Sequence, residues 1–330
     1  MALGAIGRPP RLVVLRALGL GDLLTAIPAL RALARAFPEH ERLLAAPGPL
    51  APLVPPELAR LVPTGELEPL PRELGRPQLA VNLHGRGPQS HRVVLDAGPR
   101  RMLAFEHPDI PVSHGFPVWR HGEHEVTRWC RMLAEHGVPA DPAELDLEPP
   151  PGPPPPGTHG ATLIHPGAAS AARRWPATRF AAVARAEREA GREVAITGGS
   201  SELALALDVA TRAGLDERHV LAGRTDLADL ARAVAAAGRV VCGDTGVAHL
   251  ATALGTPSVV LFGPVSPGEW GPPAESPRHR ALWTGGMGDP HADRADPGLL
   301  DITVEDVLAA VEAQSSIESM SRRAREMPRA

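Results

Sequence analysis

Short apolar runs and longer amphipathic stretches alternate along most of this chain. Uninterrupted apolar runs are typical of strands buried on both faces, and the amphipathic stretches repeat with a helical period. The predicted strands are residues 11–16, 42–46, 79–83, 161–165, 193–197, 220–221, 239–242 and 259–262. The predicted helices are residues 22–37, 125–136, 177–190, 202–213, 227–237 and 303–314. Because strands that alternate with helices are joined by right-handed crossovers, this order predicts doubly wound parallel α/β sheets.

A proline-rich segment, Pro149–Gly157, divides the pattern into two similar halves. It reads PPPGPPPPG and has too few backbone donors to lie inside a sheet. We therefore expect an N-terminal domain over residues 1–150, a linker over 151–158, a C-terminal domain over 159–314 and a flexible, arginine-rich tail over 315–330. Ligands of doubly wound sheets bind beyond the carboxyl ends of the strands, so the expected site is a cleft between the domains.

Composition narrows the functional classes. With 330 residues, 43% of them hydrophobic, the chain can bury two cores, and its formal charge of −4 argues against nucleic acid as a partner. All 34 basic residues are arginine, so any cationic ligand-binding group must be Arg or His. Cys130 and Cys242 lie in apolar patterns, which favours buried thiols over a disulfide or a metal site. Without an apolar run of membrane-spanning length or a signal-peptide core, we expect a cytoplasmic protein.

The most informative turn follows the last predicted strand but one. Gly243, Thr245 and Gly246 are small residues at the point where a helix begins, and Asp244 and His249 flank them. A helix start carries roughly half a positive charge and several unpaired N–H donors, so it suits a phosphate group. An ordinary strand-to-helix turn with a capping Asp244 explains the same residues, and the spacing does not separate the two interpretations.

A second glycine-containing loop, residues 19–22 (GLGD), joins the first strand to the first helix. Its two glycines match the start of a dinucleotide-binding fingerprint, but the third glycine position holds Leu24, and no acidic residue ends the second strand. The pattern therefore disfavours a nicotinamide cofactor. Asp22 is either an N-cap, which stabilises a helix by about 1 kcal/mol, or a general base for a substrate hydroxyl.

Four segments resemble motifs of glycosyltransferase family 9, the family of the ADP-heptose:lipopolysaccharide heptosyltransferases. Residues 21–30 (GDLLTAIPAL) are similar to its N-terminal opening, and residues 165–176, with HPG followed by RRWP, to its HPG…KRWP segment. Residues 197–202 (TGGSSE) resemble its GG-x-x-E turn, and residues 244–249 (DTGVAH) its DTG-x-x-H motif. These segments cover both halves of the chain in the family's order.

The resemblance implies a GT-B fold, in which two Rossmann-like domains face a central cleft and the C-terminal domain holds a nucleotide-sugar donor. It assigns to the diphosphate region the residues Gly167, Ser170, Arg173, Gly243, Asp244, Thr245, Gly246 and His249. Arg173 stands where the family has Lys, so the charge is kept while the geometry changes; a solvated loop cation is the other interpretation. Asp244 either caps its turn or orients His249.

On the nucleoside side, the resemblance assigns Glu202 to the ribose hydroxyls and Thr225 to the base. A favourable charge at a helix N-terminus explains Glu202 equally well. On the acceptor side, the resemblance assigns the proton-accepting role to Asp22, with Gly21 beside it. His84 and Arg86 end a predicted strand nearby.

His84 and Arg86 therefore have two interpretations: they read acceptor hydroxyls or anionic groups, or they are polar residues of a surface loop. The stretch Asp289–Asp293 superficially resembles a set of metal ligands, but its setting in a Gly/Pro-rich loop favours solvated charge. No Asp-x-Asp pair occurs in the chain, which disfavours the metal-dependent GT-A class.

We therefore expect an inverting, metal-independent glycosyltransferase that uses no cofactor beyond its nucleotide-sugar donor. The sugar is a heptose from ADP-heptose or a similar donor, and the acceptor is a hydroxyl of a lipopolysaccharide core, another glycan or a natural product. A lipid-linked acceptor would bring the protein to a membrane surface without a transmembrane segment. The alternatives are a GT-B nucleotide-sugar epimerase or hydrolase, and a catalytically idle subunit that binds nucleotide sugars.

Overall fold

The structure is a computed structural model that describes residues 9–314. The chain divides into two compact units, with the boundary between Leu145 and Asp146. No helix in the described part of the chain is both long and apolar enough to cross a bilayer. The tail predicted over residues 315–330 lies outside the described residues.

Within residues 9–145, the first unit contains a five-stranded parallel sheet. Its strands are β1 (Arg11–Leu15), β2 (Glu41–Ala46), β3 (Arg60–Pro63), β4 (Leu79–Asn82) and β5 (Arg101–Leu103). They lie in the order β3-β2-β1-β4-β5. The longer helices of this unit are α1 (Leu20–Thr25), α2 (Ile27–Ala36), α3 (Gln89–Asp96) and α4 (Glu125–Glu135). Buried aliphatic side chains such as Val13, Leu43 and Ala80 form its core.

Within residues 146–314, the second unit repeats this design. Its strands are β6 (Thr162–His165), β7 (Val194–Ile196), β8 (Arg239–Gly243), β9 (Ser258–Leu261) and β10 (His279–Leu282). They are parallel, in the order β10-β9-β8-β6-β7. Its α-helices are α5 (Ala177–Glu189), α6 (Leu203–Ala213), α7 (Leu227–Ala236), α8 (Gly246–Ala253), α9 (Pro267–Trp270), α10 (Pro297–Asp301) and a final segment over residues 304–314. The predicted class, two doubly wound α/β units, is confirmed.

Each sheet has one central pair of strands from which the chain winds outward in opposite directions. In the first unit this pair is β1 and β4, and in the second it is β6 and β8. Loops that leave such a pair at the carboxyl end diverge to opposite faces, which opens a crevice where ligands bind. Asp22 and His84 follow the first pair, and His165 and Asp244 follow the second. The topology therefore places most of the predicted site residues at these two points.

The prediction of one continuous helix over residues 22–37 is wrong. Two helices, α1 and α2, occupy this stretch, with a break at Ala26. Pro28 explains the break because it has no N–H to bond to the carbonyl of Leu24. Gly19 is the N-cap of α1 and Asp22 is its third residue, so the N-cap interpretation of Asp22 is also wrong.

Smaller differences between prediction and structure affect strands at the edges of the sheets. β3, β5 and β10 are absent from the sequence-based prediction because they are short and partly exposed, so their apolar pattern is weak. The predicted strand at residues 220–221 is reduced to a single bridge between Ile196 and Val220.

The beginning of the proline-rich segment is held by contacts within the second unit. Leu147 N donates to Ala253 O at 2.8 Å, and Arg232 Nη1 donates to Pro151 O at 3.1 Å. The segment is therefore held against the C-terminal half. The domain limits at residues 150 and 159 stay predictions.

Candidate active site

The turn after β8 has the geometry of an anion-binding helix start. Thr245 is the N-cap of α8, and its Oγ1 accepts a hydrogen bond from Val247 N at 3.3 Å. A side chain at Gly243 would place its Cβ 3.0 Å from the backbone oxygen of Arg173, so glycine lets the two segments approach closely. This approach brings the loop that carries Arg173 to the beginning of α8.

Arg173 and Asp244 form the central ion pair of the second unit. Arg173 Nη1 lies 3.5 Å from Asp244 Oδ2, and its Nε lies 3.5 Å from Ser170 Oγ. The Asp244 side chain is buried, whereas the Arg173 side chain is 23% exposed. Of the two roles predicted for Asp244, capping is performed by Thr245, whereas orientation of His249 stays a prediction. The carboxylate also holds the guanidinium of Arg173. His249, on the first part of α8, packs its ring edge-to-face on Trp270, with the centroids 5.9 Å apart.

A second polar cluster lies at the carboxyl ends of β6 and β7. Glu202 Oε2 accepts from Gly199 N at 2.8 Å and lies 4.0 Å from His165 Nε2. His165 Nδ1 is 3.0 Å from Thr197 Oγ1, and burial lowers the pKa of His165. The imidazole of His165 and the carboxylate of Glu202 thus share this corner. A Cβ at Gly167 would lie 1.9 Å from Glu202 Oε1, so only glycine leaves room for the carboxylate.

Thr225 is less closely tied to these groups. Gly223 has a left-handed φ of +70°, and the Thr225 hydroxyl donates back to Leu221 O at 3.4 Å, within the same turn. The structure therefore brings together the loop containing Gly167 with Glu202, and Ser170 and Arg173 with Asp244. The role of Thr225 near the base of the nucleotide stays a prediction.

In the first unit, Asp22 shares a buried arginine. The Arg16 side chain is 1% exposed, and its Nη2 lies 3.3 Å from Asp22 Oδ1 and 3.0 Å from Glu125 Oε1. Arg16 also donates to the backbone oxygens of Asp22 and Leu83 and to Thr25 Oγ1. This set of acceptors fixes the guanidinium at the carboxyl end of β1.

Asp22 has the exposure and the pKa of a usable base. Its side chain is 28% exposed, and Gly21 beside it is half-buried. Burial is the largest effect and raises the pKa of Asp22 above its usual value; Arg16 lowers that pKa, and Glu125 raises it. The carboxylate therefore remains basic although a guanidinium lies next to it.

His84 and Arg86 occupy different surroundings. Burial, with a smaller effect of the nearby Arg16 charge, lowers the pKa of His84 to about 4, so its imidazole is neutral near pH 7. Arg86 is exposed and lies on a groove of about 650 Å³ in the first unit. Other residues on this groove include Gln89, Glu106, His107 and Trp119. The structure thus brings His84, but not Arg86, to the Arg16 cluster.

Behind His84, a buried hydrogen-bond chain supports the loop after β4. Asn82 Oδ1 accepts from His84 N at 3.0 Å, and Asn82 Nδ2 lies 2.9 Å from Ser90 Oγ and 3.2 Å from His91 Nδ1. His91 Nε2 is 2.7 Å from Phe105 O, so this nitrogen carries the proton and donates. The chain holds the backbone of His84 in place.

Sequence reasoning missed Arg16 and Glu125 as members of the site. Arg16 directly follows an apolar strand, and Glu125 is the first residue of the amphipathic helix α4. An arginine at the end of a buried strand was the available signal. Glu125 gave no comparable signal, because a glutamate in the first turn of a helix is common for electrostatic reasons alone.

The acidic and histidine-containing loop 289–293 pairs within itself. Asp289 Oδ1 accepts from His291 N at 2.9 Å, and both residues are exposed. Across the described range, no three His, Cys, Asp or Glu side chains come together as a metal site. The loop does contact the Arg173 region, since Ala172 N donates to Ala292 O at 3.2 Å.

Comparison with known proteins assigns the family. The sequence profile of Glycosyltransferase family 9 (heptosyltransferase) matches residues 118–290, just over half of the chain. The chain belongs to glycosyltransferase family 9. The matched range includes Arg173, Glu202, Asp244 and His249, whereas Asp22 lies outside it.

Individual relatives agree with the family assignment. Over 148 residues, the family 9 chain is 30% identical to lipopolysaccharide heptosyltransferase 2 of Escherichia coli K12, a match that covers 43% of this chain and 42% of that protein. The chain thus matches less than half the length of this curated relative.

Solved structures share the fold over nearly the whole chain. A crystal structure of a family 9 glycosyl transferase from Veillonella parvula has a TM-score of 0.73 at 21% identity, covering 92% of this chain and 97% of that one. The E. coli ADP-heptose lps heptosyltransferase II has a TM-score of 0.72 at 23% identity, covering 94% and 99%. Similarity at 21–23% sequence identity establishes the fold of this family 9 member. The predicted GT-B class is confirmed.

Proposed function

We propose that this chain is an inverting glycosyltransferase that moves a sugar from a nucleoside diphosphate to an acceptor hydroxyl. The observation that carries the proposal is the Arg173–Asp244 pair at the start of α8, 3.5 Å across. It combines a preformed cation with the positive end of a helix at the point where doubly wound sheets bind ligands. Family membership supports the same reaction class.

The second unit offers what a departing diphosphate needs. Arg173 presents a planar fork of N–H donors, and Gly246 begins α8, where the first backbone N–H groups lack carbonyl partners within the helix. We propose that His249 adds a hydrogen bond and that Ser170, whose hydroxyl donates to Pro290 O at 2.5 Å, holds Arg173 through its oxygen. These groups stabilise the charge that develops on the leaving phosphate as the glycosidic bond breaks. Because they supply positive charge themselves, we propose that the reaction requires neither metal nor cofactor.

The first unit supplies the base. In the proposed step, Asp22 accepts the proton of the acceptor hydroxyl while its oxygen attacks the anomeric carbon from the face opposite the diphosphate. One displacement of this kind inverts the configuration. General-base assistance is typically worth about 10²–10⁴ in rate. We propose that His84, which is neutral and lies next to Arg16, orients the same hydroxyl.

For the donor we propose ADP-heptose or a close analogue. The two E. coli proteins compared above are both named as heptosyltransferases, and the name of the solved one includes ADP-heptose. Glu202 binds the ribose and Thr225 lies near the base. The acceptor is a hydroxyl of a lipopolysaccharide core, another glycan or a natural product. We place the reaction in the cytoplasm, where the buried thiols of Cys130 and Cys242 stay reduced.

Titration calorimetry with ADP, GDP and UDP tests the first half of the proposal, and ADP is expected to bind most tightly. Mass spectrometry then follows ADP-heptose incubated with core oligosaccharide or simple glycosides, with and without EDTA. Transfer that is insensitive to EDTA supports the proposal. Donor consumption without any acceptor would instead favour an epimerase or hydrolase, and failure to bind any nucleotide would refute the proposal.

A further inference from the structure

We propose that Glu125 is a positioning residue for Asp22: it neutralises the buried Arg16 that anchors Asp22, so that the anchor does not weaken the base. This inference rests on the proposed function, in which Asp22 accepts the acceptor proton. It adds a residue of α4 to a site that the sequence motifs confine to the loops after β1 and β4.

The geometry places one guanidinium between two carboxylates. Arg16 Nη2 is 3.0 Å from Glu125 Oε1 and 3.3 Å from Asp22 Oδ1. Arg16 cannot move away from either, because its other N–H groups are bonded to backbone oxygens of Asp22 and Leu83, and the face of the Trp129 ring lies 4.9 Å from its Cζ. The charge of Arg16 is therefore shared between the two acids.

The two carboxylates differ in how completely they are held. Glu125 Oε1 also accepts from Trp129 Nε1 at 2.8 Å, and its Oε2 is paired with Arg128. Its side chain is 6% exposed, whereas that of Asp22 is 28% exposed. Both oxygens of Glu125 are thus engaged by buried partners, and Asp22 keeps a solvent-facing portion for a substrate proton.

The charges around Asp22 explain why the second carboxylate, that of Glu125, matters for the pKa of Asp22. An arginine at 3.3 Å from a carboxylate would alone lower its pKa and make it a poor base. The pKa of Glu125 is lowered by Arg16 and Arg128 against the effect of burial, and the negative charge that it retains raises the pKa of Asp22. His84, another titratable group beside Arg16, is neutral near pH 7. The cluster therefore contains two guanidinium and two carboxylate groups.

The test measures the pKa of Asp22 directly, by carbon NMR titration of the full-length protein with ¹³C-labelled aspartate carboxyls. Asp22→Asn identifies the signal. Glu125→Gln keeps the shape of the side chain but removes its charge, so the midpoint of Asp22 is expected to move to lower pH. Glu123→Gln is the matched control, because Glu123 forms a similar ion pair with Arg131, at 2.6 Å, away from Arg16.

Arg128→Gln provides a second variant with the opposite sign. It removes a cation that partly cancels Glu125, so the Asp22 midpoint is expected to move to higher pH, and this variant alone decides if Glu125→Gln does not fold. An unchanged Asp22 midpoint in a folded variant, or an equal shift in Glu123→Gln, overturns the proposal.

Activity separates this inference from the proposed function. In Glu125→Gln, the acidic limb of kcat/KM against pH is expected to move down with the Asp22 midpoint, and the plateau rate to fall about three- to tenfold because the base is weaker. A midpoint that moves without any change in the pH–rate profile overturns the role of Glu125 in the reaction. If Asp22→Asn keeps full turnover, the proposed function itself fails, whatever the titration gives.

Discussion

The guanidinium of Arg173 lies 3.5 Å from the carboxylate of Asp244, which is buried at the end of β8. Buried carboxylates that hold an arginine in this way fix the cation before a ligand arrives, so less conformational entropy is lost on binding. Nη1 and Nε make the contacts to Asp244 and Ser170, and the guanidinium has further N–H groups for phosphate oxygens.

Removing the side chain of Arg173 is expected to weaken nucleoside diphosphate binding. Arg173→Ala should raise the Kd for ADP by at least about tenfold, and Arg173→Lys should recover part of the loss because it keeps the charge but not the fork. Titration calorimetry measures both. Arg218→Ala, at an exposed ion pair of the same unit, should leave the Kd unchanged. An ADP affinity that is equal in Arg173→Ala and the unmodified protein would remove Arg173 from the site.

Replacing Asp22 is expected to separate catalysis from donor binding. Asp22→Asn should lower kcat by about 10²–10⁴, since the amide cannot accept the proton, while the Kd for ADP stays the same. Steady-state rates and calorimetry on the same preparation provide the comparison. Asp208→Asn, an exposed carboxylate paired with Arg212, serves as the control. Loss of ADP affinity together with turnover would contradict the role of base.

A methyl group at Gly167 is expected to displace Glu202 without unfolding the protein. The added Cβ would lie 1.9 Å from Glu202 Oε1, but that carboxylate can swing away from Gly199 N. Gly167→Ala should therefore weaken ADP binding by about three- to tenfold, equal to the loss in Glu202→Ala.

Calorimetry of the double variant checks this coupling. Gly167→Ala combined with Glu202→Ala should lose no more affinity than either single variant, because both changes remove the same contact. Gly286→Ala is the control, since a Cβ there meets no atom within 4 Å. Additive losses would mean that Gly167 acts independently of Glu202.

Acid is expected to destabilise the second unit through His279. This residue is buried, its Nδ1 lies 2.9 Å from Ser258 Oγ, and burial lowers its pKa to about 4. In the unfolded chain the imidazole takes up a proton near its ordinary pKa of about 6.5. Between these values the unfolded state binds more protons, so the free energy of unfolding falls as the pH falls from about 6.5 to about 4, by on the order of 2–3 kcal/mol from this group.

Urea unfolding at a series of pH values measures that dependence. His279→Asn should have a shallower slope between pH 4 and pH 6.5, because the group that gains a proton on unfolding is gone. His291→Asn, in the exposed loop, should keep the slope of the unmodified protein. An identical slope in His279→Asn would show that another group causes the acid sensitivity.

Much of the architecture could be predicted because it follows from local pattern. Central strands such as β1, β6 and β8 have apolar residues at consecutive interior positions, and burial on both faces leaves that signature in the sequence. The edge strands β3 and β10 carry a weaker pattern, since only part of each is buried. The break at Ala26 was missed because Pro28 is tolerated in the first turn of a helix, so it signals a new start only when the preceding turn is also known to be helical.

By itself, the sequence determined the two doubly wound sheets and the small-residue turns at Asp22 and Asp244, because strand and helix periods and glycine turns are encoded by neighbouring residues. Only the tertiary structure decided which charges meet there. Arg16 and Glu125 are 109 residues apart, and Arg173 and Asp244 are 71 apart. Such pairs form because parallel strands bring their carboxyl ends to one edge and helices pack against them, which residue spacing along the chain does not encode.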